Sequence, residues 1–171
     1  MSKHHTAVRV GFLLAVVALF GGLLLHVATA AAADGNRFEA TFHESRASVN
    51  DRIADLGTFQ IINTASGTVE GRGAASMVVS VTQDRTVQPC GPGSWTNAAV
   101  RRIVMADGVL ILRAVAYVCQ SASGPVASEK WFVDGASSTG VFAGARGSGE
   151  GTVSLATATS TLSGKLKLAG S

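Results

Sequence analysis

From residue 34 onward, glycines cut this chain into short β-branched segments, and that spacing constrains the fold more than any other feature. Of the 20 glycines, 17 fall in the 138 residues from Asp34 to Ser171. Average usage is about 7 per cent, so the excess demands many turns or close backbone approaches. Between the glycines lie runs rich in Val, Thr, Ser, Ala and Ile, the composition of strands in a many-turned sheet. Phe38, Ala40 and Phe42 alternate with Glu39, Thr41 and His43, which is period two. Thr58 to Asn63, Met77 to Gln83, Val126 to Val133, Gly151 to Ala156 and Thr161 to Leu168 are further strand segments. Ala98 to Met105 and Val109 to Cys119 flank Ala106-Asp107-Gly108, and Asp-Gly is a strong hairpin signal. That makes about eight strands, with no βαβ rhythm to indicate a parallel sheet. Closure into a barrel removes the exposed edges that such strands would otherwise leave. The expected fold is therefore all-β, an antiparallel eight-stranded barrel.

One segment breaks the strand pattern. Ser48-Val49-Asn50-Asp51 has the form of a capping box, Val49, Ile53 and Leu56 fall at helical spacing, and Gly57 fits a C-cap. A short helix of two turns or an irregular loop both fit this stretch.

The first 33 residues have a different character. Lys3 and Arg9 precede an apolar run from Val10 to Leu25, followed by a small-residue tail ending Ala31-Ala32-Ala33. That order is the order of a cleaved secretory signal peptide, with cleavage expected before Asp34. An uncleaved membrane anchor is the alternative, since Val10 to Ala33 is close to the length that spans a bilayer. The expected organisation is residues 1–33 as leader and residues 34–171 as one exported, extracellular domain, with no stable membrane span after processing. Loss of the leader removes Lys3 and Arg9 from the 14 basic residues, leaving 12 against 11 acidic and a net charge of +1. No basic run or aromatic-basic stripe accompanies this balance, so nucleic acid is not an expected partner.

Both cysteines, Cys90 and Cys119, lie beyond the leader. Two cysteines in an exported chain normally pair, and a disulfide is the expectation; a reactive thiol is the sharper alternative. Trp95, in a Gly-Pro-Gly loop beside Cys90, could cover that disulfide or serve as an exposed recognition residue.

Hydrolytic and metal chemistry find little support. His43 is the only histidine past the leader, no G-x-S-x-G elbow occurs, and too few His or Cys ligands remain for zinc. No metal and no cofactor are expected. Asp84, Asp107 and Asp134 sit beside expected turns, where aspartate commonly caps its own backbone.

The candidate site is a lumen. An eight-stranded barrel is filled by side chains or holds one small ligand. Alternation places Arg113 and Tyr117 on one face of their strand, and Glu129 with Trp131 on one face of theirs. If both faces look inward, an apolar wall would carry a guanidinium, a phenol, a carboxylate and an indole, a mixture suited to a small apolar or aromatic molecule. In the competing arrangement Arg113 and Glu129 form a cross-strand surface pair and Trp131 is core. Both faces of Val109 to Cys119 are largely apolar, so its outer face needs a cover, either the short helix or a second subunit in a dimer or trimer.

Ser138 to Thr152 reads STGVFAGARGSGEGT, and this segment resembles the G-T-G-x-F-x-G-A-x-G-x-G-T pattern of the allene oxide cyclase barrel superfamily, which includes plant dirigent proteins and small exported bacterial barrels. The matching residues are Thr139, Gly140, Phe142, Ala145, Gly147 and Gly149, and the likeness continues through Gly151-Thr152 to Thr161-Leu162-Ser163-Gly164. The first glycine is displaced, since Gly135 is followed by Ala136-Ser137-Ser138. The resemblance implies an eight-stranded barrel, often trimeric, with an open cavity. Plant members cyclise an oxidised lipid or orient phenoxy radicals; the matched residues here are architectural, so neither activity transfers with them. On the residues alone, the glycines suit a bent, bulged strand at a barrel corner. Three functions follow: a ligand-binding barrel, a cyclase-like or dirigent-like enzyme using Arg113, Tyr117 and Glu129, or an interaction module with a filled barrel.

Overall fold

The computed structural model describes residues 36–50 and 57–171. The expected leader lies outside the described residues. Nine strands follow in order: β1 (Arg37–Asn50), β2 (Thr58–Val69), β3 (Gly73–Asp84), β4 (Trp95–Met105), β5 (Gly108–Cys119), β6 (Val126–Val133), the two-residue β7 (Thr139–Gly140), β8 (Arg146–Ser154) and β9 (Thr159–Lys167). β1 to β6, β8 and β9 form a closed ring in which every neighbouring pair is antiparallel, and β7 adds a short pairing to β5. The closed eight-stranded barrel matches the expected fold, and the Asp107-Gly108 hairpin lies where its turn signal placed it.

The expected capping box is not a helix start. Ser48, Val49 and Asn50 continue β1 and pair with Ile62, Ile61 and Gln60 of β2, beyond a bulge between Arg46 and Ser48. A long hairpin ladder outweighs a local capping preference, because each further residue gains cross-strand bonds. The rest of the expected helix, residues 51–56, lies outside the described residues, and Gly57 (φ 71°) opens the turn into β2.

The inward-facing set alternates along every strand. On β5 it is Leu110, Leu112, Ala114, Ala116 and Val118, all buried. Leu110, Leu112 and Ala114 join Phe38 and Phe42 of β1, Met77 and Val79 of β3, Ile103 of β4 and Trp131 of β6 in the main core. One end of the barrel is closed. The β7–β8 turn folds in there and buries Phe142 completely, Arg72 stacks 4.7 Å over its ring, and Arg72 pairs with Asp107 of the β4–β5 turn. The other end carries the loops after β3, β5 and β8. There Cys90 and Cys119 form a disulfide that fastens the β3–β4 loop to the end of β5. Closing that loop stabilises the fold by about 3–4 kcal/mol on the chain-entropy model. Trp95 begins β4 at this end and packs against the small second core of Ala116, Val118 and Ala127.

The glycines of β8 and β9 do not mark a bulge. Both strands keep unbroken register with their neighbours. Their purpose is steric. A Cβ at Gly149 would lie 2.3 Å from the Trp131 ring, and one at Gly164 would lie 2.6 Å from it. Gly149 and Gly164 pair directly, so the two bare backbones form one seat for the indole. Trp131 is held there by an edge-on contact with Phe38 at 5.4 Å and by donating from Nε1 to the Glu150 carbonyl at 3.0 Å.

Candidate functional site

Register decides which expected site residues meet. Glu129 pairs with Ala116 and Trp131 with Ala114, so both point into the lumen with that face of β5. Arg113 and Tyr117 have the opposite parity. Tyr117 is 60% exposed, and Arg113 is also on the outer surface, donating from Nε to Asp134 at 2.8 Å. The expected grouping of four therefore divides: Glu129 and Trp131 face the lumen, Arg113 and Tyr117 do not. The alternative Arg113–Glu129 surface pair is absent for the same reason, since the two lie on opposite faces of the wall. Asp134 also accepts from Ser137, and together these contacts hold its carboxyl below the ordinary aspartate range, the Arg113 hydrogen bond being the largest cause.

The lumen recruits a different arginine. Arg101 and Arg102 are adjacent on β4, and it is Arg101 that turns inward, 2% exposed. Its Nε and Nη2 donate to the two oxygens of Glu129 at 3.1 and 2.7 Å. Its Nη1 donates to Glu44 Oε1 of β1 at 3.1 Å and approaches Met77 Sδ at 3.7 Å. One guanidinium thus ties β4 to β6 and β1 across the barrel. Burial disfavours its charge, but attraction and hydrogen bonds to Glu129 and Glu44 more than offset this and hold its pKa above the ordinary arginine value. A forked guanidinium answering a carboxylate with two bonds is the geometry that makes buried pairing tolerable. Glycine again makes the room: a Cβ at Gly151, opposite Glu129, would stand 2.9 Å from Glu129 Oε1.

This ion cluster separates the main core from the open end. On its open side lies a cavity of about 90 Å³, bounded by the cluster, by Asn63 and Asn97, and by apolar side chains including Val81 and Val153. Arg46 and Leu155 stand at its mouth. Asn63 Nδ2 donates to Glu44 Oε2 at 2.9 Å, which fixes its amide orientation and leaves Oδ1 buried without a partner. Asn97 Oδ1 is buried and unpartnered as well. An unanswered buried acceptor costs about 1–3 kcal/mol, so two of them leave this cavity lining short of donors.

A second hollow lies on the outer surface across β5, β6, β8, β9 and β1. It is larger, about 740 Å³, with Val115 and Tyr117 on one wall and Ser128, Thr152 and Thr161 on its floor. Those floor side chains are all exposed, and Thr152 and Thr161 hydrogen-bond each other at 2.8 Å. The groove has size without buried, unanswered chemistry.

Among the described residues no three His, Cys, Asp or Glu side chains gather in a set able to hold a metal ion. Glu44 and Arg101 escaped the sequence argument. For Arg101 a signal existed: it shares parity with Ala99, Ile103 and Met105, although Val100 and Val104 give Arg102 nearly as apolar a companion set. Glu44 continues the Phe38-Ala40-Phe42 face, and that alternation could have found it. No family model, no curated protein and no solved structure matches this chain.

Proposed function

We propose that this is an exported binding protein that holds a small organic molecule in the open end of its barrel. The observation that carries the reading is the Arg101–Glu44–Glu129 cluster lying beneath a cavity lined by the unpartnered acceptors of Asn63 and Asn97. A few convergent polar groups in an apolar wall fix the orientation of a ligand. The cavity also limits ligand size. A cavity of about 150 Å³ takes a benzene, and about 90 Å³ holds a ligand of a few heavy atoms, with any larger apolar or aromatic part leaving past Leu155. Export rests on the leader-like residues 1–33, and the barrel-superfamily resemblance of Ser138 to Thr152 agrees with a binding cavity. The catalytic alternative named Arg113, Tyr117 and Glu129, and two of these lie on the outer face, so binding is favoured over turnover.

Native mass spectrometry of the protein taken from its own host tests this. A retained small molecule that leaves on denaturation, and that is lost in Glu129→Gln but kept in Arg113→Ala, is the expected outcome. Retention by both variants would move the site to the outer surface.

One observation favours a second reading, an interaction module or homo-oligomer. Val115, Tyr117 and Phe132 project from the outer face of β5 and β6, each more than half exposed. Light scattering over a range of concentrations decides whether that face meets a second copy.

A further inference from the structure

We infer that the group seated at the bottom of the lumenal cavity is a small primary ammonium, donated by an amine ligand. This inference rests on the lumenal binding reading and names its ligand class.

The argument is an accounting of donors and acceptors. Among the described residues Arg101 alone brings a guanidinium to the floor, and four of its five N–H groups are engaged: Nε and Nη2 on Glu129, Nη1 on Glu44 and against Met77. Asn63 Nδ2 donates one of its two N–H groups to Glu44 Oε2. The Asn97 and Gln83 amides keep donors of their own, but the lining atoms that are buried and unanswered are both acceptors. The Asn63 and Asn97 carbonyl oxygens are buried and unanswered, and each carboxylate oxygen of Glu44 has a lone pair beyond its single partner. A hydroxyl supplies one donor to such a floor and a carboxylate supplies none, whereas an ammonium supplies three.

Charge points the same way. Glu44 and Glu129 contribute two negative charges to the floor against one positive from Arg101. The floor therefore holds one uncompensated negative charge in a place shielded from water, where attraction is strongest. Arg46 is the other charged group lining the cavity; it stands exposed at the mouth, where water and salt screen it. Gln83, buried in the cavity wall, is neutral. An ammonium at the bottom with an apolar tail passing Val81, Val153 and Leu155 satisfies both the accounting and the wall.

The test compares three probes of one size, propylammonium, 1-propanol and propionate, titrated into the oxidised protein at low ionic strength. Binding is followed by NMR of the Asn63 and Asn97 side-chain amides, with the Tyr117 ring signals reporting the outer groove. Propylammonium should bind saturably and at least tenfold more tightly than propanol, with no response to propionate. Glu44→Gln should weaken propylammonium about tenfold while leaving propanol unchanged. Arg46→Ala should tighten propylammonium by a few-fold. Equal binding of propanol and propylammonium, or preferred binding of propionate, at the Asn63 and Asn97 amides would overturn the ammonium assignment and leave the lumenal site standing. No response at those amides to any probe would overturn both.

Discussion

The two ends of this barrel are built on opposite principles. The closed end is dry: Phe142 is fully buried beneath Arg72, and Trp131 lies on bare glycine backbone with Phe38 against its edge. Among the described residues no buried side-chain N or O atom there lacks a partner, and even the indole N–H has a carbonyl. The open end buries three charges and leaves two amide oxygens, the Trp95 indole N–H and the Ser160 hydroxyl unanswered. Apolar packing at the first end earns stability directly from buried area. A buried ion cluster is a poor way to stabilise a fold, because desolvating the charges costs as much as their attraction returns. The difference teaches that the closed end is filled by packing, whereas the open end keeps buried polar groups that packing alone does not require.

The largest effect should come from breaking the ion cluster from one side. Arg101→Met leaves Glu44 and Glu129 buried without their cation and should cost about 3–5 kcal/mol in denaturant unfolding. Combining it with Glu44→Leu and Glu129→Leu removes every charge at once. That triple variant should recover stability to within about 1 kcal/mol of the parent, or exceed it, while losing all lumenal binding. If the triple variant is as unstable as the single one, the cluster is structural and the contrast between the ends collapses.

At the closed end the sharpest probe is a single methyl group. Gly149→Ala puts a Cβ into the Trp131 ring, where the main core leaves the indole no room to move. Overpacking of this kind should cost about 1–3 kcal/mol, read as a lower midpoint in urea together with a change in tryptophan fluorescence. Ligand binding at the other end should survive. Loss of both together would show that the ends are coupled and that their division of labour is wrong.

The barrel was legible because period two and turn chemistry are local signals. Leu110, Leu112, Ala114, Ala116 and Val118 carry no charge, a clean parity that the structure assigns to the inner face of β5, whereas Arg113 and Tyr117 on the other face were the ones expected in the lumen. The site was only half legible, because a lumen is assembled from residues far apart in the chain. Glu129 and Trp131 could be paired with a strand face, but nothing local says that Glu129 will meet Arg101 and not Arg113. That follows from register, Glu129 opposite Ala116, which is set by the whole ring. The β8 and β9 glycines were legible as architecture but not as a seat for Trp131, since the ring they admit lies on another strand. Ser48 failed for the opposite reason: its local capping signal is real, and the β1–β2 ladder overrides it.

The smallest expected effect sharpens the comparison from outside both ends. Arg113→Ala removes a guanidinium that is half exposed and bound only to Asp134 on the surface. At neutral pH its unfolding midpoint should be nearly that of the parent, because Arg113 is half in water and Ser137 still donates to Asp134. The difference should appear in acid. Asp134 has a carboxyl pKa held below its unfolded value, first by Arg113 and then by Ser137. A depressed pKa adds stability above the unfolded aspartate value of about 3.9, and that stability is lost as pH falls through the lower folded value. Without Arg113 the carboxyl should titrate nearer its ordinary range, so the variant should lose stability at a higher pH than the parent during acid unfolding. A large loss at neutral pH, or a loss of lumenal binding, would instead mean that Arg113 acts on the interior, contrary to the outward parity of its strand face.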